Sequence, residues 1–471
     1  MNLLLVLGLT ISVTEVANAE TLTFPCGGGG TYSVIMPAGV AVGPTDKFKC
    51  SGKVILDTKV KKIANNAFRY CEITSIEIPN SVTSVGASAF AGTQIKSISI
   101  PNSVVAIEDN AFSEMGLLAS VTIPNSVTRI GSGAFRNTKL SEVVIPNSVT
   151  SIGDVAFLDT QLTAITIPIS VTEIGASAFS FTKITEAVIP NSLTIIEDGL
   201  FSHTPLKSVS IPNSITSIRD NAFFNTKLTS VIIPNSVTNI GMNAFSATPL
   251  KSVILGNSVT TIGNAAFMGT QLTSITIPNS VQSIGQAAFW NTTTLTSVIL
   301  GNSVTTIGDR AFEGNINLLS ISIPDSLRIL GSNVFDQNYS LTSILYCGQL
   351  MGFPIAPICP AERQALIDAA KAAEAKLAAE LKAKQEAEAK AVEEKIAAEL
   401  KVKQEAEAKI ASDKAAGEKI IAEAKAEAAR ILAAAKASAA KKKTTITCIK
   451  GKLIKKVTAV KPVCPKGYKK K

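Results

Sequence analysis

Seven cysteines and a single histidine are the residues of this 471-residue chain with types suited to covalent, redox or proton-transfer chemistry. Their spacing points to bridges rather than to catalysis. Cys347 and Cys359 bracket residues 348–358 and suit a disulfide that closes a cap, while Cys448 and Cys464 suit one that closes a loop near the C-terminal end. Cys50 and Cys71 are 21 residues apart, close to the repeat period described next. On adjacent coils about 4.8 Å apart they fall within the Cα range that a disulfide accepts. The expected pair is therefore Cys50–Cys71 with Cys26 odd, and the alternative is Cys26–Cys50. His203 sits in the turn Ser202-His203-Thr204-Pro205 without a recognisable cysteine or aspartate partner, and is expected at the solvent surface. Metal ligands are not clustered. The chemistry-bearing residues thus predict no enzyme, no metal and no cofactor.

The elements that position these residues follow from thirteen phenylalanines, 22 or 23 residues apart, from Phe68 through Phe201 to Phe335. A period of this length marks a solenoid in which each unit buries its apolar edge against its neighbours. One copy, residues 140–157, shows the logic. Leu140, Val143 and Ile145 alternate inward as a short strand, Pro146 ends it because it has no N–H for a ladder, and Asn147-Ser148 turn the chain. Val149 and Ile152 bring it back across the core to Ala156-Phe157. Gly153 has the look of a left-handed turn. Its equivalents Ala64, Glu108, Glu197 and Arg219 argue against a strict positive φ there. Stacked copies of Phe predict one continuous buried spine.

The pattern L-x-x-[IV]-x-I-P-x-S-V-x-x-I-G-x-x-A-F of residues 140–157 resembles the leucine-rich repeats of the BspA-like type, over about 290 residues. That resemblance implies a β-rich leucine-rich-repeat solenoid of parallel strands and short helical turns. It also implies a secreted or surface protein, some relatives of which look like adhesins. Outward strand positions then form a Ser/Thr floor with Glu142 and Glu186 and with aliphatic steps at Val144, Val188, Ile232, Ile254 and Ile299. These seven residues are the candidate ligand face for an unknown protein or glycan. Tyr, Trp and Arg anchors are missing from it, so a small-residue ladder kept only for stacking is the competing reading. Trp290, beside Phe289, is a packing or contact residue.

Charge and composition divide the rest. Residues 1–19 read as an export signal, with an apolar run from Leu3 to Val13 and a small-x-small box ending at Ala19. Met1-Asn2 lacks the usual positive charge, so the start lies upstream or the signal is atypical. Residues 20–52 read as an N-terminal cap, 53–346 as the repeats and 347–360 as a C-terminal cap. Residues 361–443, rich in Ala, Lys and Glu, predict a helical stalk with Glu-to-Lys pairs such as Glu380/Lys384. A continuous helix there would reach on the order of 120 Å, alone or as a homo-oligomer through a thin apolar stripe. The net charge of +9 comes from the end of the chain, since residues 441–471 hold 12 lysines and no acid. The tail, 444–471, is similar to short basic two-Cys tails that end otherwise unrelated secreted bacterial proteins. Its Lys450, Lys452, Lys455, Lys456, Lys469, Lys470 and Lys471 are candidate anchors to an anionic envelope polymer or membrane surface. Nucleic acid is disfavoured, because the repeats carry no excess positive charge. The reading is an exported surface binding module, and the alternative is a structural envelope component whose repeats stack or self-associate.

Overall fold

The computed structural model describes residues 20–36, 38–44, 50–345, isolated positions between 372 and 430, 444–459 and 461–471. The expected signal segment, the C-terminal cap and the Cys347/Cys359 pair lie outside the described residues. The chain divides into two units, residues 1–393 and 394–471.

The first unit is a leucine-rich-repeat solenoid. Its strands pair in parallel with their equivalents one turn on, as in Ser208 with Glu186 and Ile254 with Ile232. Inward positions are buried and outward ones half-buried, the alternation that the strand geometry demands. A second parallel ladder runs alongside, made of two-residue strands such as Arg129–Ile130 paired with Ser151–Ile152. The sequence reading treats this segment as a turn back across the core; two paired residues are too few to show an alternating pattern.

The core is the predicted spine. Every spine phenylalanine from Phe68 to Phe312 is wholly buried, and successive spine rings stack 5.2–6.2 Å apart, within 16° of parallel, through to Phe335. Backbone hydrogen bonds run beside the rings. The Phe157 N–H donates to the Ala178 carbonyl at 2.9 Å and the Phe201 N–H to the Ala222 carbonyl at 2.9 Å. The connecting segments are successive turns, not helical ones, because residues two before and two after each phenylalanine take positive φ. Asn221 and Asn225 flank Phe223 in this way, at 56° and 54°. Asparagine tolerates this region better than other residues with a Cβ.

Gly153 is not left-handed, as its substituted equivalents suggest. Its reason is proximity. A Cβ on Gly153 would meet the Ser132 backbone nitrogen at 2.5 Å, and one on Gly285 would meet the Asn264 nitrogen at 2.6 Å. Where glutamate stands in its place the ladder loosens. At Glu108 the pairing with the preceding turn shrinks to Val85 with Ile107, and at Glu197 the ladder ends at Ile174 and resumes at Ile195. Arg219 keeps both pairs, its guanidinium turned onto Glu197 at 2.7 Å. The turn serine also works between coils. Ser148 Oγ donates to the Val127 carbonyl at 2.6 Å and Ser170 Oγ to the Val149 carbonyl at 2.7 Å.

The first turn is covered by an antiparallel hairpin, Thr21–Pro25 with Thr31–Ile35, followed by Val40–Val42, which pairs in parallel with Lys62–Ile63. Tyr32 seats its ring edge on Phe68 at 5.9 Å, accepts the Asp57 N–H at 2.9 Å, and has its phenol pushed up by burial. Cys50 is bonded to Cys26 of this cap, not to Cys71. The register that pairs Ser51 with Glu72 does set Cys50 beside Cys71. Side chains directly opposed in a parallel ladder project side by side about 4.8 Å apart, farther than the roughly 3.8 Å that a disulfide wants between Cβ atoms.

In the second unit, Thr444–Lys450 and Leu453–Ala459 form an antiparallel hairpin across Gly451-Lys452, with Gly451 at φ +61°. Lys469–Lys470 pairs on the far side of the first strand. Cys448 is wholly buried and bonded to Cys464, with Cα atoms 5.6 Å apart. Between 361 and 443, the described positions, among them 372, 390 and 425–427, are helical. The continuity of the stalk lies outside the described residues.

Candidate binding surfaces

The strand ladder places the seven candidate ligand residues on one side of the solenoid, but does not gather them into one patch. Ile232 and Ile254 are direct neighbours across the ladder, and Thr276 of the next coil pairs with Ile299. Ile232 and Ile254 are thus the one directly paired aliphatic step among the seven, Ile299 stands in a separate sheet beyond Thr276, and all three isoleucines are half-buried. Val188 pairs with Ser210 and stands apart. Glu142 and Val144 are exposed in the one central copy where no strand forms, so the ladder is interrupted at their position. Each isoleucine therefore stands on a paired strand, as does Glu186, whereas Glu142 lies at a break.

A second surface was not legible as a site. Where Glu197 loosens the second ladder, an open basin of about 580 Å³ forms over Arg129, Asp154, Glu173, Glu197, Asp198 and Arg219. Arg129 is held by Glu108 at 3.2 Å and Asp109 at 2.9 Å, and Arg219 by Glu197 at 2.7 Å. Asp154 and Asp198 each spend a carboxylate oxygen on the backbone of the next coil, at Ala176 and Asp220. The basin is therefore acidic at its centre, with its arginines engaged. The glutamates that break the glycine position are the sequence signal for it.

A third feature corrects the reading of His203. It is half-buried rather than open, stacked on Phe181 at 4.3 Å, met edge-on by Phe224 at 5.1 Å and hydrogen-bonded through Nδ1 to Asn225 at 3.0 Å. Phe181 itself is 49% exposed and Trp290 38%. Phe181 and His203 occupy the same place in successive coils, two residues after the spine phenylalanine, so their stacking was readable from the period. Four coils before His203 on the same row, Glu114 accepts both Asn137 amide bonds at 3.0 Å and an Arg136 bond at 2.6 Å. The Asn137 amide, with Arg136, holds its carboxyl below the usual range against the upward push of partial burial. The seven candidate anchor lysines of the tail are all exposed.

The model of the BspA type leucine rich repeat region matches the chain at residues 48–161, 150–273 and 260–353. Among solved structures, a leucine-rich repeat protein from Bacteroides ovatus is 25% identical, with 69% of this chain and 92% of that chain covered and a TM-score of 0.45. A leucine rich cell surface protein from Faecalibacterium prausnitzii is 25% identical, with coverage of 65% and 95% and a TM-score of 0.43. A leucine-rich repeat protein from Eubacterium ventriosum is 20% identical, with coverage of 71% and 99% and a TM-score of 0.45. No curated protein sequence matches the chain.

Proposed function

Because this chain belongs to the BspA-type leucine-rich repeat family, we propose that it is an exported, non-enzymatic binding module: a repeat head that contacts protein or glycan partners and a basic tail that retains it at the envelope. The observation that carries this reading is the set of outward isoleucines Ile232, Ile254 and Ile299, the first two direct neighbours on paired strands and the third two coils further on beside Thr276, all left half-buried. Fixed aliphatic side chains on a rigid ladder present contact area with little ordering cost, which favours a wide, shallow contact. The bonds Cys26–Cys50 and Cys448–Cys464 support an oxidising destination, in line with the export-type segment at residues 1–19. Among the described residues no helix is long and apolar enough to cross a membrane, so the tail is the element proposed to hold the protein in place.

Deletion of residues 53–346 tests the head. Cells displaying the full chain are expected to bind heterologous cells or immobilised matrix protein, and cells displaying the deletion are not. Binding that survives the deletion contradicts the adhesive reading, and altered envelope shape with no binding change favours the structural one.

A further inference from the structure

The tail carries more than charge. Across its three strands, Ile454 pairs with Ile449 and Ile449 with Lys469, so these three share one face; two residues along, Lys456 pairs with Thr447 on the same face. The opposite face holds Cys448, wholly buried and tied to Cys464. Only one face of this small sheet is therefore closed by its own disulfide. On the other, Ile454 is 69% exposed; Leu453, its neighbour at the hairpin tip, pairs with Lys450 on the Cys448 face and is 64% exposed at the rim. Lys450, Lys452, Lys455 and Lys456 surround the pair, all exposed, and no acid occurs from 441 to 471.

A soluble anionic polymer would be satisfied by the lysines alone. Two large aliphatic side chains held open to water on the two faces of one hairpin tip gain nothing from phosphate, but when the tip enters edge-on both lose their unfavourable hydration at the boundary between headgroups and acyl chains. Lysines at that depth keep their ammonium groups among anionic headgroups, where the surface potential attracts them. The two-residue turn matters too, because it projects Leu453 and Ile454 at the tip of the hairpin with no bulky loop beyond them.

We propose that this hairpin tip docks on an anionic lipid bilayer, inserting Leu453 and Ile454 into the interface while Lys450, Lys452, Lys455 and Lys456 contact headgroup phosphates. The proposal rests on the reading of the tail as an envelope anchor and names the surface it holds. The full chain is tested by co-sedimentation with vesicles of phosphatidylglycerol and phosphatidylcholine, with phosphatidylcholine alone, and in parallel by binding to soluble polyphosphate. The double variant L453S/I454S is expected to lose roughly tenfold or more in partition to the anionic vesicles. Its polyphosphate affinity should stay within about twofold of the parent, because the lysines are unchanged. Non-reducing mass analysis that finds Cys448–Cys464 intact shows that the tail has folded. Equal vesicle partition of parent and variant overturns insertion while leaving a charge-only anchor standing. Failure of the parent to bind either vesicles or polyphosphate overturns the anchor and the proposal with it.

Discussion

The spine edge and the outward strand side of this solenoid are built from the same thirteen copies, yet one is nearly invariant and the other is not. At the spine edge every copy repeats a stacked ring and a left-handed residue on either side of it, and each phenylalanine from Phe68 to Phe312 in the spine makes a backbone bond to the next coil. On the strand side the ladder breaks into separate sheets, and the outward residues vary from Ser to Glu to Ile. The difference teaches where to look for each property. Repetition marks what the stack needs to stand, and departures from it mark where the surface acquires character, as at Glu142, Glu197 and Ile232.

The largest way to break that contrast is at the spine. Phe201→Ala removes a wholly buried ring from the middle of the stack and should cost about 3–5 kcal/mol. Denaturant unfolding that finds the variant within 1 kcal/mol or so of the parent would contradict the spine as the main source of cohesion. Next in size is the close approach between coils. Gly285→Ala places a Cβ 2.6 Å from the Asn264 nitrogen and should cost about 1–3 kcal/mol, with faster amide exchange confined to the second ladder nearby. Unchanged exchange there would leave the glycine position without a structural reason.

The sign reverses at Val155, a β-branched residue held at φ 47°. Val155→Gly relieves that strain against the added chain entropy of glycine and should stabilise by about 0.5–1 kcal/mol, read as a higher unfolding midpoint. A loss of stability would mean that the copies do not impose the left-handed turn. The smallest effect is electrostatic. Glu114 has its folded pKa below its unfolded value, so its contribution is present above the ordinary glutamate range and fades as pH falls through the folded pKa. Glu114→Gln should therefore weaken the protein slightly at neutral pH and converge on the parent in acid; a difference that grows on acidification would refute the pairing with Asn137 and Arg136.

The solenoid and its spine were legible because a large apolar residue at a fixed period leaves few alternatives. Asn66, Asn110, Asn221, Asn243 and Asn333, all two residues before a spine phenylalanine, are the sequence signal of the left-handed turns, which Gly153 and its equivalents are not. The second ladder was hidden because two paired residues cannot show a pattern. The cap pairing of Cys26 with Cys50 depends on where a hairpin folds back, which spacing alone does not encode. The candidate face was legible residue by residue, but its grouping needed the register that joins Ile232 to Ile254 and parts both from Val188. The basin at Glu197 required the spacing between coils, known only from coordinates.

The claim that scaffold and contact surface are separable is tested most directly by one variant of the full chain, I232T/I254T/I299T. Threonine already stands at the equivalent outward position 276, paired with Ile299, so the ladder accommodates it. Binding of parent and variant to a panel of immobilised matrix proteins and glycans is measured beside their thermal unfolding. The account predicts that the variant unfolds with the parent and loses the binding that the parent shows. Full binding by the variant, or early unfolding together with lost binding, would contradict it.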